Sequence, residues 1–171
     1  GLLVPTSGRM LVTADSRIGA LIELGVGFHP DLSGEENVHL SASVYGLSRA
    51  EIVRIYPQVV AYSGLGPFMD TPLKSYSTGM RMRLAFALAV HIAPDILLLD
   101  EILAVGDAEF RRQCEATIAT FRREGKTMLL VSHATEVIRS LCDRVCVLDR
   151  GRLQFDGPVD EGLACYKALT S

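Results

Sequence analysis

Two adjacent acids, Asp100 and Glu101, end the apolar run from Ile96 to Leu99. Neighbouring carboxylates point in different directions and can divide labour. Asp100 can hold Mg2+, generally through water, because that ion favours oxygen ligands and keeps part of its hydration. Glu101 can orient and deprotonate an attacking water. His133 follows a second apolar run, "TMLLVS", from Thr127 to Ser132. An imidazole there can contact a terminal phosphate and bridge it to the water. Ser77, Thr78 and Gly79 form a small polar corner directly before a long apolar segment carrying Arg81 and Arg83. A helix starting there presents unpaired N–H groups and a positive dipole end, which together suit an anion. Gly79 lets a phosphate approach the backbone closely. Each feature also has an ordinary reading: a solvated strand end, a structural histidine and a helix cap. Their joint placement favours the chemistry.

That placement depends on the elements. Ile96–Leu99 and "TMLLVSH" read as buried strands of a parallel sheet covered on both faces, because they are continuously apolar. Their carboxyl ends bring Asp100, Glu101 and His133 to one edge, where open α/β sheets bind ligands. Residues 9–13 and 16–24 read as short strands, and residues 25–34 as a Gly/Pro-rich loop. Ser33 with Glu36, and Ser48 with Glu51, are capping boxes that open two helices, the first stopping near Gly46. Residues 65–74 connect, and Ser77 caps a helix running to about His91. A helix from Asp107 to Glu124 stops at Gly125, and Thr135–Cys142 is helical. Residues 144–157 form a hairpin turning at Arg150-Gly151, and Val159–Leu169 is the last helix. Strands alternate with helices except for the helical block at residues 34–91, which predicts an α/β core with an inserted helical subdomain.

Composition narrows the class. A chain of 171 residues with 49% hydrophobic and 22% charged residues builds one globular domain. A net charge of −3 gives no electrostatic case for nucleic acid as a partner. The apolar run from Leu84 to Val90 falls far short of the roughly 18 residues of a membrane span. The start does not read as a signal peptide. Cys114, Cys142, Cys146 and Cys165 show no C-x-x-C spacing and read as buried or idle thiols of a reducing compartment.

Taken together, these residues resemble the ATPase subunits of ABC transporters. Tyr76, Ser77, Thr78, Gly79 and Met80 occupy the five places of the signature motif, usually Leu-Ser-Gly-Gly-Gln, and Arg83 matches the Arg that follows it. "ILLLDE" resembles the Walker B strand with its catalytic glutamate, "LAVGD" the D-loop ending in Asp107, and "LVSH" the H-loop. The order of these motifs is also that of the family, and the resemblance runs from Gly1 to about Ala164. "ALIELGVGFHPDLSGEENV", "YSTGM" and "DEILAVGD" are most similar to the branch that exports O-antigen, capsule and teichoic acid. Some members of that branch carry a C-terminal carbohydrate-binding domain, for which the chain to Ser171 leaves no room.

The resemblance implies a P-loop NTPase (RecA-like) core at residues 1–33 and 92–171, with residues 34–91 as the helical subdomain. It implies ATP and Mg2+ as cofactors, with Glu101 and His133 catalytic and Asp100 on the metal. Ser77, Thr78, Gly79, Met80 and Asp107 would face the nucleotide of a second ATPase subunit in a head-to-tail dimer. A membrane permease is the other implied partner, at the cytoplasmic face of the inner membrane. Its docking region would include Phe28, His29, Pro30 and Leu32, although Phe28 can equally plug the subdomain core.

Several positions depart from the family pattern. The Q-loop glutamine falls on Leu24 without a gap and on Glu23 with one inserted residue. Glu23 is preferred, since it can still reach Mg2+ or the water. Thr78 replaces a glycine, and Ala134 stands where an Asp often follows the histidine. No Gly-x-x-x-x-Gly-Lys-Ser/Thr occurs in the sequence. "EGKT", Glu124–Thr127, is a decoy, because Thr120 holds the first glycine's place and the triplet precedes a strand. The family's main phosphate cradle and its adenine-stacking aromatic are therefore expected upstream of Gly1, the chain matching a domain without its first third. The alternative is a non-catalytic or degenerate domain that keeps the signature face.

Overall fold

The computed structural model describes residues 5–14, 16–21, 27–100 and 107–170. Three short strands, β1 (Ile18–Leu21), β2 (Ile96–Asp100) and β3 (Thr127–Val131), pair in parallel in the order β1-β2-β3. Ile18 pairs with Ile96 and Ile96 with Thr127, while Asp100 pairs with Val131 at the carboxyl edge. Side chains alternate between faces, so Leu97, Leu99, Met128 and Leu130 share one side of the sheet. That side packs on Ala85, Phe86, Phe110 and Ile118.

The opposite side differs from the sequence expectation. Leu129 and Val131 are 60% and 54% exposed. Helices cover one face of this sheet, not two, among the described residues, and an apolar run alone cannot tell the two cases apart. Residues 9–13, expected as a strand, form none. Met10 and Leu11 are exposed there. A strand needs a partner ladder, and propensity alone does not supply one.

The helical block comprises α1 (Gly34–Val44), α2 (Arg49–Ser63) and α3 (Thr78–His91). Both expected capping boxes are present, Ser33 with Glu36 and Ser48 with Glu51. The connection after α2 contains two 3-10 turns, Gly66–Phe68 and Leu73–Ser75. Val38, Ile52, Val59, Leu73, Leu84 and Leu88 form its core.

α3 belongs to two cores at once. Leu84, Ala87 and Leu88 face the helical block, whereas Ala85, Phe86, Ala89 and Val90 face the sheet. This explains its nearly all-apolar sequence, which a helix buried all round requires. After β2 the chain continues through α4 (Ala108–Arg123), β3 and α5 (Thr135–Leu141). β4 (Arg144–Asp149) and β5 (Arg152–Pro158) form the expected hairpin, and α6 (Val159–Thr170) packs on it. The cysteines are free thiols, with Cys114 buried in α4.

Candidate functional site

The Ser-Thr-Gly corner forms as the sequence anticipates. Ser77 is the N-cap of α3, and its Oγ accepts from the Met80 N–H at 3.2 Å. The first-turn N–H groups of Thr78 and Gly79 have no acceptor within the helix. Tyr76, at the first signature position, seats the corner. Its buried ring fills the helical core, and its hydroxyl donates to the Phe68 carbonyl at 2.6 Å. The same hydroxyl lies so close to Gly34 that a Cβ there would collide with it. A Cβ at Gly79, by contrast, would meet only the Ser77 Oγ, at 3.9 Å. Packing within the chain therefore requires Gly34 but not Gly79, which leaves the approach to the helix end open.

The corner faces an open depression of about 520 Å3, lined by Ser77, Thr78, Gly79 and Met80 together with Leu65, Arg83 and Asp107. Asp107 enters it from the start of α4. It caps α4, accepting from the Phe110 N–H at 2.9 Å through Oδ1. Its other oxygen, Oδ2, forms an ion pair with Arg83. The Phe110 N–H bond, with the Arg83 charge beside it, holds the Asp107 carboxyl below its ordinary range.

Aromatic packing fixes α4 against α3. Phe86 and Phe110 meet edge to face at 6.0 Å, and Tyr62 meets Phe110 the same way at 6.1 Å. Such pairs add about 0.5–1.5 kcal/mol each beyond burial. The Tyr62 hydroxyl bonds Thr117 of α4 at 2.7 Å, and burial pushes its pKa up to about 12, so it stays protonated.

The other expected residues lie elsewhere. Asp100, half-buried, ends β2, and His133, exposed, follows β3. Both stand at the carboxyl edge of the sheet, two residues apart in register, since Asp100 pairs with Val131. Neither lines the depression. Glu23 and Glu101 lie outside the described residues.

Phe28 is half-buried and packs against both cores, which is the plug reading of that loop. His29 and Pro30 are exposed. The sequence reading missed Leu65 and Phe110 as part of the site and left Arg83 without a role. The signal for Arg83 was its spacing of four from Gly79, which puts both on one helix face.

An anion fits the depression. A helix N-terminus opens into it, the one carboxylate lining it among the described residues is neutralised by Arg83, and no side chain at Gly79 obstructs approach. For Mg2+ the donor set is small. No cluster of three metal-ligating side chains occurs among the described residues. That is compatible with Mg2+, which uses one or two carboxylates and takes its remaining ligands from phosphate and water.

The sequence and the fold both resemble those of known proteins. The O-antigen export system ATP-binding protein RfbB of Myxococcus xanthus is 43% identical over 171 residues, covering 100% of this chain and 39% of the relative. The teichoic acids export ATP-binding protein TagH of Levilactobacillus brevis is 39% identical over 170 residues, covering 99% of this chain and 46% of the relative. The chain thus spans less than half the length of either. Among solved structures, a dimeric post-hydrolysis state of an ATP-binding cassette bound to ADP and Pi superposes with a TM-score of 0.69. At 22% identity it covers 84% of this chain and 63% of that one, a likeness of fold. The family described as ABC transporter matches residues 2–104, more than half of the sequence, and the chain belongs to that family.

Proposed function

We propose that this chain is ATP-binding and ATP-hydrolysing machinery of an ABC exporter that moves a polysaccharide or lipid-linked glycan across the inner membrane. The observation that carries the reading is the depression at the α3 N-terminus, which joins the Ser77–Met80 corner to Asp107 and suits phosphate oxygens. The substrate class is supported by the printed roles of the two relatives, which match the chain over nearly all its length.

In this reading the polypeptide divides into a RecA-like core, residues 1–33 and 92–171, and a helical subdomain, residues 34–91, with α3 common to both. Ser77, Thr78, Gly79 and Met80 face a nucleotide bound mainly by a second ATPase subunit, packed head to tail. Asp107 borders that nucleotide. Asp100 and Glu23 would hold Mg2+. The ion, when bound, neutralises charge on the phosphates. Glu101 takes a proton from the attacking water, and His133 holds the terminal phosphate. No described helix is long and apolar enough to cross a membrane. In this reading the chain attaches to the cytoplasmic face of the inner membrane through a permease.

The test is Glu101→Gln in the assembled subunit. The change keeps size and hydrogen-bonding reach but removes the base. Turnover should fall by about 10²–10⁴-fold with ATP binding retained, and an ATP-bound dimer should accumulate. Turnover within about threefold of wild type would show that Glu101 is not the base. A wild-type assembly that binds ATP but never hydrolyses it would support the non-catalytic alternative. Loss of surface glycan on inactivating the subunit in cells checks the substrate class.

A further inference from the structure

Arg83 lies at the meeting point of three helix ends. Its Nη2 donates to Asp107 Oδ2 at the start of α4. Its Cζ stands 5.0 Å from the centroid of the Phe110 ring, in the first turn of that helix. Its Nη1 is 3.6 Å from where a Cβ at Gly64 would stand, beside the C-cap of α2. Helix C-termini favour a cation, so the guanidinium is held by the Asp107 carboxylate, the Phe110 ring and the end of α2. Among the described residues it is also the only basic side chain lining the depression.

We propose that Arg83 is a positioning residue that acts through Asp107, neutralising its carboxylate at the rim of the site, rather than a direct phosphate ligand. The proposal rests on the reading that the depression faces a nucleotide. Its logic is electrostatic. Asp107 is 58% exposed at the rim of a site meant for an anion. Without Arg83 its carboxylate would stand bare towards the phosphates, and like charges juxtaposed across an interface are strongly unfavourable. An exposed ion pair contributes little to folding, so loss of this one should register in function before stability. Asn at 107 can still cap α4, because Asn and Asp are equivalent N-caps.

The experiment measures kcat/KM for MgATP with the subunit assembled with its partner ATPase. Wild type, R83M, R83K, D107N and R83M/D107N are compared. R83M should lose about tenfold or more. R83K, which keeps the charge, should lose less than R83M. R83M/D107N should regain most of the loss relative to R83M, because the bare carboxylate is gone. Circular dichroism checks folding; if R83M does not fold, R83Q and R83Q/D107N carry the same comparison. A double variant as impaired as R83M would mean that Arg83 touches the nucleotide directly, and would overturn the proposal. So would R83M with wild-type kinetics. A wild-type assembly without ATP hydrolysis would overturn the ATPase reading and this proposal with it, so the two failures are distinguishable.

Discussion

Asn37 shows how much one polar side chain can hold. It is fully buried in α1, and its amide nitrogen donates to three carbonyls, those of His29, Leu32 and Ser33, at 3.1, 3.0 and 2.8 Å. Its oxygen accepts from the His29 N–H at 2.6 Å. It therefore staples the segment carrying Phe28 to the helical block, adding a second donor to carbonyls that also accept from backbone N–H groups. Asn37→Ala removes these bonds and takes the acceptor from the His29 N–H, while the three carbonyls keep their backbone donors, and should cost about 1–3 kcal/mol, read from urea unfolding. A loss below about 0.5 kcal/mol would show that this network is dispensable. The sequence marked the position only as part of a helix. Asparagine looks the same whether exposed or buried, and only the packing reveals that its side chain closes the loop.

At the scale of elements, local chemistry was legible. The capping boxes of Ser33 and Ser48, the Ser77 cap and the Gly125 stop are short-range hydrogen-bond patterns written within four residues. The hairpin is another case. Asp149 pairs with Arg152, so the loop is two residues long, and Arg150 and Gly151 both have positive φ, 47° and 74°. That is the turn whose twist suits a hairpin, and it favours Asn-Gly. Arginine in the left-handed region costs roughly 1–2 kcal/mol. Arg150→Asn should therefore stabilise the chain by about 0.5–1 kcal/mol in chemical denaturation. No gain would mean that Arg150 compensates its backbone strain through a contact of its own side chain. What was not legible was covering: β2 and β3 read as doubly buried, yet their outer face is half open.

For the whole molecule, that open face is the distinguishing feature. Leu129 and Val131 present apolar surface on β3, and Ile18 is exposed on β1, across β2. Contiguous apolar surface drives association, because water contact is unfavourable there. The 171-residue polypeptide should bind a hydrophobic dye such as ANS and self-associate in sedimentation. Leu129→Lys with Val131→Lys should lower both while leaving the secondary structure intact. Unchanged dye binding would place the sticky surface elsewhere, for instance at Leu148 and Leu153, a cross-strand pair that is also exposed.

Sequence alone determined the elements, the signature corner and the order of the strand-end residues. These depend on neighbours a few positions apart, or on periodicity along one segment. Asp100 and His133 reached one sheet edge because parallel pairing follows from strand–helix alternation. Tertiary structure decided which residues meet across long separations. Asp107 and Arg83 join across 24 positions in sequence, α3 serves two cores, and Phe28 turns inward instead of standing free. The physical reason is that each of these contacts depends on how helices stack on the sheet, and stacking is set by the sum of many weak packing terms that no short stretch of sequence contains.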